Sequence, residues 1–406
     1  MVLLACVCSA RAQASTIYVS TSRGNDLGAG TKDAPLATIA AGVGRAKSGD
    51  TVAIAEGLYT LNGSLQLKGR IILQGGWRAD FTQRDAFVTA SRVTSTVPQA
   101  PVLELTAQAE DITIDGLMLD GSVGAFANTS CAECLAAPYN PAMAAPLVSI
   151  AQSGRVLIHD SVIMNAPGGG IRADLLGTVQ LDNVALINTR PFAISATANC
   201  GYASPVCGDF SVRNASILWA WRDSVDAGAG GGSAIIVGAG VRARIQQTII
   251  AYSDRMAIEL TPGAHEVMLK SLVVFDNRSG DVGSAGKDGI KSVPINAASE
   301  AIGLSGTGPY GRMERLAMPW DSDYLQRFLA RTSTPFYGAR LAANRGFMIS
   351  PVVDAGLKTP VGSQMSYALA VSGGKPAAPA PASPPTAAEP PTKKKLGKHG
   401  LKRGKK

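Results

Sequence analysis

Apolar and polar residues alternate over short stretches between residues 111 and 276, and one such pattern occurs six times. Each copy has an alternating stretch, a polar break and a second apolar stretch. The copies read ITIDGLMLDG (112–121), VLIHDSVIMN (156–165), VQLDNVALIN (179–188), FSVRNASILW (210–219), ARIQQTIIAY (243–252) and VMLKSLVVFD (267–276). Because alternate residues of a strand face opposite sides, the aliphatic positions predict the inward faces of short strands.

The third residue of each copy is aliphatic and serves as an anchor for alignment: Ile114, Ile158, Leu181, Val212, Ile245 and Leu269. Successive anchors are 44, 23, 31, 33 and 24 residues apart, which indicates a unit of about 23 residues with insertions. Helical spacing and the leucine-rich repeat pattern are both absent. The repeat therefore predicts an all-β chain, a right-handed parallel β-helix with three short strands per coil. Coils stack about 4.8 Å apart, and each coil completes the core of its neighbour.

Two features predict how coils turn and how the solenoid begins. The residue two past each anchor is small or polar (Gly116, Asp160, Asn183, Asn214, Gln247 and Ser271), as suits a corner in the left-handed region. Apolar residues at helical spacing over 36–47 predict an N-terminal capping helix, which would cover the exposed strand edges of the first coil.

Charge divides the chain into a neutral body and a basic end. The formal net charge is +8, and residues 373–406 carry nine basic side chains against one acidic side chain, which accounts for all of it. We predict a β-helix domain over 15–372, a Pro/Ala-rich linker over 373–392 and a disordered basic tail over 393–406. The tail would either tether the protein to an anionic surface or act as a solubilising tail; the body gives no electrostatic case for nucleic acid.

The first 14 residues predict export. The short apolar run ends in Ala12-Gln13-Ala14, which is typical of a signal-peptidase site, although the charged region expected before the run is missing. We therefore expect a signal peptide whose true start lies upstream, and a secreted, periplasmic or surface location. Leu3-Leu4-Ala5-Cys6 leaves lipidation at Cys6 as an alternative, and the segment is too short to span a membrane.

Four cysteines remain after this segment: Cys131, Cys134, Cys200 and Cys207. An even number of cysteines in an exported chain predicts disulfides, with two local bridges as the simplest pairing and cross pairings left open. A zinc site is the alternative, but no histidine lies near either pair in the sequence.

Several segments resemble secreted parallel β-helix proteins of bacteria, the pectin-lyase-like group. They are IYVSTSRGND, GTKDAPLATI, SGDTVAIAEGLY, LQLKGRIILQGGW and, near the end, SPVVDAG. The resemblance covers roughly residues 16–357 and implies this fold and export. The group contains lyases, polygalacturonases, epimerases, tailspikes and adhesins, so the resemblance implies no single activity.

Outward residues one past each anchor should form a column along the solenoid: Asp115, His159, Asp182, Arg213, Gln246 and Lys270. His159, Asp182 and Arg213 would then be neighbours. A base, a carboxylate and a cation suit proton abstraction beside a uronate carboxylate, which makes these three the candidate catalytic residues. Asp115 and Lys270 are candidate substrate-binding residues. The alternative is a solvated face with mixed charges.

The insertions at 121–146 and 220–232 provide a second candidate surface. Within or beside them lie Tyr139, Asn140, Trp219, Trp221, Arg222, Asp223 and Asp226. Aromatic side chains on exposed loops can stack on sugar rings, and loops on a rigid scaffold often carry binding residues. The alternative is that Trp219 and Trp221 cover the apolar flank of the solenoid.

Residue patterns of known activities in the resembling group are absent. The chain has neither the Asp-Asp pair of polygalacturonase-like enzymes nor the Asp-Pro-His-Asp of alginate epimerases. Asp160, Asp174, Asp182 and Arg172 could approach one another as in pectate lyases, which leaves Ca²⁺ possible, but no metal site is predicted.

These observations favour an exported, monomeric β-helix protein that binds carbohydrate or cell-envelope material without catalysis. The alternatives are a polysaccharide lyase or glycosidase acting on an acidic glycan, and a structural adhesin or spacer. Whether the protein is an enzyme stays open at this point. A tight cluster of acid, base and arginine would favour the enzyme, and exposed aromatic side chains would favour binding.

Overall fold

A computed structural model describes residues 14–86, 89–121, 144–151, 154–174, 177–200, 206–221, 231–251, 253–264, 266–270, 272–275, 277, 279–286, 289–293 and 304–305. These residues form one helix and 23 strands that belong to one continuous, curled sheet. Neighbouring strands of this sheet pair in parallel, except that β21 and β22 are antiparallel. The predicted parallel β-helix is confirmed.

Three stacks of strands form the walls of the solenoid, as the repeat predicted. The first sheet contains β1 (Thr16–Val19), β2 (Thr51–Ala55), β13 (Val206–Arg213), β16 (Gly240–Gln246), β19 (Glu266–Lys270), β23 (Leu304–Ser305) and one half each of β4 (Leu65–Trp77), β6 (Leu103–Asp115), β9 (Arg155–Ala166) and β11 (Thr178–Thr189). The second sheet contains β3 (Gly57–Leu61), β5 (Ser91–Ser95), β7 (Leu117–Asp120), the second halves of β9 and β11, β14 (Ser216–Ala220), β17 (Ile249–Ala251) and β20 (Val273–Phe275).

The third sheet closes each coil. It contains the first halves of β4 and β6, then β8 (Val148–Ala151), β10 (Ile171–Asp174), β12 (Phe192–Thr197), β15 (Ser233–Val237), β18 (Met256–Leu260) and β21 (Gly280–Gly286), with β22 (Gly289–Val293) antiparallel to the last.

The predicted register is confirmed. The six anchors pair in succession from Ile114 on β6 to Leu269 on β19, and Leu73 on β4 extends this row by one coil. The anchors are buried members of one hydrophobic cluster that fills the solenoid. Each coil thus buries its aliphatic row against the rows above and below.

The corner after the first sheet also has the predicted form. Five of the six predicted corner residues have positive φ: Gly116 (71°), Asp160 (50°), Asn183 (55°), Asn214 (52°) and Gln247 (48°). The sixth, Ser271, lies outside the described residues. A second corner with positive φ occurs later in three coils, at Asn165 (53°), Asn188 (57°) and Trp219 (59°). Asn and Asp tolerate this left-handed conformation better than other residues with a side chain.

The helix α1 (Ile39–Arg45) is shorter than the 36–47 predicted from apolar spacing. It begins after Thr38, whose side-chain Oγ1 accepts a hydrogen bond from the Ala41 amide at 3.1 Å. Leu36 instead forms an isolated bridge with Val19 of β1. Ile39 of the helix and the preceding Leu36 join the interior cluster at the N-terminal end, where the sequence predicts a capping helix.

The outward face of the second sheet is apolar, which the sequence analysis did not predict. Ile163 and Leu186 point into the core, so their neighbours in sequence point outward. Among these neighbours, Val162, Met164 and Ile187 are at most 7% exposed. The second sheet is therefore apolar on both faces along β9 and β11, whereas the first sheet offers a long polar outward face.

One predicted disulfide is confirmed. Cys200 and Cys207 are bridged, with their Cα atoms 5.4 Å apart, so neither is available as a zinc ligand. Cys131 and Cys134 lie outside the described residues, as do residues 1–13, the linker 373–392 and the tail 393–406. The described residues contain one helix, α1, and it is not long and apolar enough to span a membrane.

Candidate functional site

Seven outward side chains of the first sheet form the polar column: Gln74, Asp115, His159, Asp182, Arg213, Gln246 and Lys270. They occupy equivalent positions on consecutive coils, and each residue pairs directly with the next in the strand register. Neighbouring strands lie about 4.8 Å apart, so the column presents a polar group at each such step along the solenoid. The sequence placed six of these residues, and the structure adds Gln74.

His159 lies at the centre of an ionisable cluster. Its Nδ1 is 2.9 Å from Asp160 Oδ2 and 3.5 Å from Asp115 Oδ1. Asp115 is only 5% exposed, whereas 26% of the His159 side-chain surface is accessible. The ring therefore has its Nδ1 edge between two carboxylates. Within the described part of the chain, no hydrogen bond to its Nε2 is found.

Arg84 is a member of this cluster that the sequence analysis missed. Its Nη2 bonds Asp115 Oδ1, and its Nε donates to the Gly75 carbonyl at 2.8 Å. Gln74 Nε2 donates to the other oxygen of Asp115 at 3.1 Å. Arg84 follows β4 in a connection outside the repeat, so its approach to Asp115 left no periodic signal in the sequence.

The neighbouring charges shift two pKa values in opposite directions. The hydrogen bond that His159 donates to Asp160 raises the pKa of His159, and the Asp115 charge adds to this effect, while burial and Arg84 oppose it. Burial alone would raise the pKa of Asp160, but hydrogen bonds from His159 and Asn183 outweigh it and lower that pKa. The cluster thus favours an imidazolium between two carboxylates.

Asp182 and Arg213 form a separate ion pair on the next coils. Arg213 Nε is 3.2 Å from Asp182 Oδ1, and its Nη2 bonds Oδ2, which gives a two-point contact. Asn214 Nδ2 also donates to Asp182 Oδ1 at 3.1 Å. The three candidate catalytic residues are adjacent in register as predicted. The three residues do not form one cluster of polar contacts, because His159 contacts Asp115 and Asp160, whereas Arg213 contacts Asp182.

The two tryptophans of the second candidate surface are buried. Trp219 is fully buried and Trp221 is 6% exposed, with its Nε1 donating to Asn188 Oδ1 at 2.8 Å. Burial favours the alternative in which they cover the flank of the solenoid, because an indole ring must be accessible to stack on a sugar. Tyr139, Arg222 and Asp223 lie outside the described residues.

The acidic residues considered for Ca²⁺ lie on two different sheets. Asp174 and Arg172 lie on β10 in the third sheet, where Asp174 accepts a hydrogen bond from Thr197 Oγ1 at 2.8 Å. Asp182 lies on the first sheet, and Asp160 lies at the corner that follows this sheet. The sequence alone does not show which of these residues share a sheet, because strands of two different sheets are only a few residues apart in the chain.

No protein-family model and no curated protein matches the chain. Among solved structures the chain is similar to XylC in complex with xylose (TM-score 0.40, 11% identity, 67% of this chain and 64% of that chain). It is also similar to pectate lyase Pel9A (TM-score 0.38, 11% identity, 86% and 96%) and to a rhamnogalacturonan lyase (TM-score 0.31, 13% identity, 82% and 96%). The chain thus spans just under two thirds of the XylC chain. At these identities the similarities concern the fold and assign no activity.

Proposed function

We propose that the protein is exported and binds a carbohydrate polymer along the polar column. The observation that carries this proposal is the direct pairing of seven outward polar side chains on consecutive coils. A regular row of donors and acceptors suits a ligand that is itself a regular row of hydroxyl and carboxylate groups. The apolar outward face of the second sheet offers no comparable row.

The charges along the column favour an acidic polymer at one end. Toward the C-terminal coils the column carries Arg213 and Lys270, and Arg244 stands on the same outward face of β16. Arg213 is already paired with Asp182, but 57% of its side chain is accessible. Cations that stay accessible can meet uronate carboxylates, whereas Gln246 between them can donate to hydroxyl groups.

Binding to purified uronate-rich and neutral polysaccharides, measured by affinity electrophoresis, tests the proposal. We expect retardation by uronate-rich polymers, and Arg213→Ala and Lys270→Ala should each weaken it by roughly two- to fivefold, as for accessible ion pairs. Lys32→Ala is the matched control, because it removes an exposed cation far along the chain from the column. If Lys32→Ala weakens polymer binding equally, or if no polymer binds, a structural spacer becomes the better explanation of the protein's function.

A second candidate function is acid–base catalysis on an acidic glycan at His159. The supporting observation is the imidazole held through Nδ1 by Asp160 and Asp115, which leaves Nε2 as the nitrogen to exchange a proton with a ligand. A lyase reaction would raise the ultraviolet absorbance of the unsaturated product, and hydrolysis would raise reducing ends. Activity that disappears in His159→Ala but persists in Lys32→Ala would support this function. Silence in both assays would exclude it for the polymers tested.

The basic residues 393–406 are proposed as a second contact, with an anionic surface such as an acidic glycan or lipopolysaccharide. Binding through this segment should weaken steeply as salt rises, because it rests on charge alone. Binding that does not change with salt would contradict a role for the tail.

A further inference from the structure

Three side chains of the His159 cluster have the composition and spacing of a metal-binding site. Asp115, His159 and Asp160 each offer one ligand atom, and these atoms all lie within 4.8 Å of one another. Nδ1 of His159 is 3.5 Å from one carboxylate oxygen and 2.9 Å from the other. Tetrahedral ligands at 2.0–2.1 Å from a zinc ion are about 3.3 Å apart, which lies between these two distances.

The oxygens that face away from Nδ1 are held by amide side chains. Gln74 Nε2 donates to Asp115 Oδ2 at 3.1 Å, and Asn183 Nδ2 donates to Asp160 Oδ1. Metal-binding carboxylates are usually oriented by such outer hydrogen bonds, which fix the ligand oxygen toward the ion. Arg84 instead bonds Asp115 Oδ1, the oxygen that faces Nδ1. A carboxylate oxygen has two lone pairs, so this contact leaves one for a metal ion.

The charges of the cluster favour a cation when His159 is neutral. Asp115 and Asp160 carry two negative charges and Arg84 carries one positive charge, which leaves a net charge of about −1 beside Nδ1. Asp115 is almost fully buried, so its charge is poorly screened by water. A divalent ion would replace the proton that otherwise lies between His159 and Asp160.

We propose that Asp115, His159 and Asp160 bind one divalent transition-metal ion, with Gln74 and Asn183 orienting the carboxylates. An imidazole with two carboxylates suits Zn²⁺ or Co²⁺, whereas Ca²⁺ requires six to eight oxygen ligands. Three protein ligands leave a coordination position open to water or to a ligand oxygen. Asp115 and His159 also belong to the polar column, but binding of the ion needs only the three side chains and can be measured without a carbohydrate.

Titration of the full chain with Co²⁺ after treatment with a chelator tests the site, because the visible absorption of Co²⁺ reports tetrahedral coordination. We expect saturation at one ion per chain and displacement by Zn²⁺. His159→Ala should abolish the absorption. Asp160→Asn, which keeps the shape and suits the left-handed corner, should weaken binding by roughly tenfold or more.

His265→Ala is the matched control, because the chain has only three histidines and this one is not a proposed ligand. Circular dichroism of each variant confirms that the solenoid has folded. No visible Co²⁺ absorption, or absorption that survives His159→Ala in a folded protein, would overturn the proposal. Neither result depends on polymer binding, so the metal site and the carbohydrate proposal fail separately.

Discussion

Asn188 should be among the least replaceable polar residues of the solenoid. Its Nδ2 donates to Asn165 Oδ1 at 2.8 Å, and its Oδ1 accepts from Trp221 Nε1 at 2.8 Å. Asn165 in turn donates to Asp120 Oδ1 at 3.0 Å, so the four residues form a buried ladder along the second corner. Asn188 also has a φ of 57°, a conformation that asparagine tolerates better than alanine.

We expect Asn188→Ala to lower the free energy of unfolding by roughly 3–7 kcal/mol. Two buried groups, Trp221 Nε1 and Asn165 Oδ1, would lose their partners at about 1–3 kcal/mol each. Alanine in the left-handed region adds about 1 kcal/mol. The loss would be large for a single substitution, because most substitutions change stability by 0.5–3 kcal/mol.

Asn214→Ala is the matched control. Asn214 has nearly the same φ, 52°, but its side chain is only partly buried and donates one hydrogen bond, to Asp182. We expect this variant to lose about 1–2 kcal/mol, from the backbone term and one partly solvated bond. Urea unfolding followed by circular dichroism measures both. If the two variants unfold at the same urea concentration, the buried ladder contributes no more than the corner geometry and the reasoning fails.

Three further outcomes follow from the same structure. The folded-state pKa is raised for His159 and lowered for Asp160, so their pairing stabilises the folded protein between about pH 4 and pH 6.5. This stabilisation is lost as the pH rises through the folded-state pKa of His159 or falls through the folded-state pKa of Asp160. Asp160→Asn, with chelator present, should therefore lower the free energy of unfolding more at about pH 5.5 than at about pH 9. Equal losses at the two pH values would contradict a charged pair between His159 and Asp160. Gly42→Ala should lower stability by roughly 1–3 kcal/mol in thermal unfolding, because the new Cβ would meet side chains of β1 and β2 at 2.7 and 2.9 Å; Gly44→Ala, where no atom lies within 4 Å, should be neutral or stabilising. Cys200→Ser should lower stability by roughly 2–3 kcal/mol, as a short closed loop predicts, and a Cys200→Ser chain as stable as the oxidised parent would show that the bridge is dispensable.

The repeat made most of the fold predictable. Inward aliphatic residues and left-handed corners are set by the pleat and by local backbone sterics, so both are visible in a few consecutive residues. The register followed from them, because a slip of one residue would turn every aliphatic side chain outward. The polar column from Asp115 to Lys270 was predictable for the same reason, since outward positions follow once inward positions are fixed.

The partners within the site were decided by the tertiary structure. Arg84 reaches Asp115 from a connection without periodicity, and His159 contacts Asp115 and Asp160. Alternation alone assigns a side chain to a face but does not select which charge on neighbouring coils it meets.

The sequence by itself determined the coil, the corners and the polar column, because each depends on alternation and backbone preference over a few residues. The tertiary structure alone decided the burial of Trp219 and Trp221 and the pairing of His159. Burial and ion pairing depend on distances between atoms far apart in the chain, and those distances exist only once the coils have stacked.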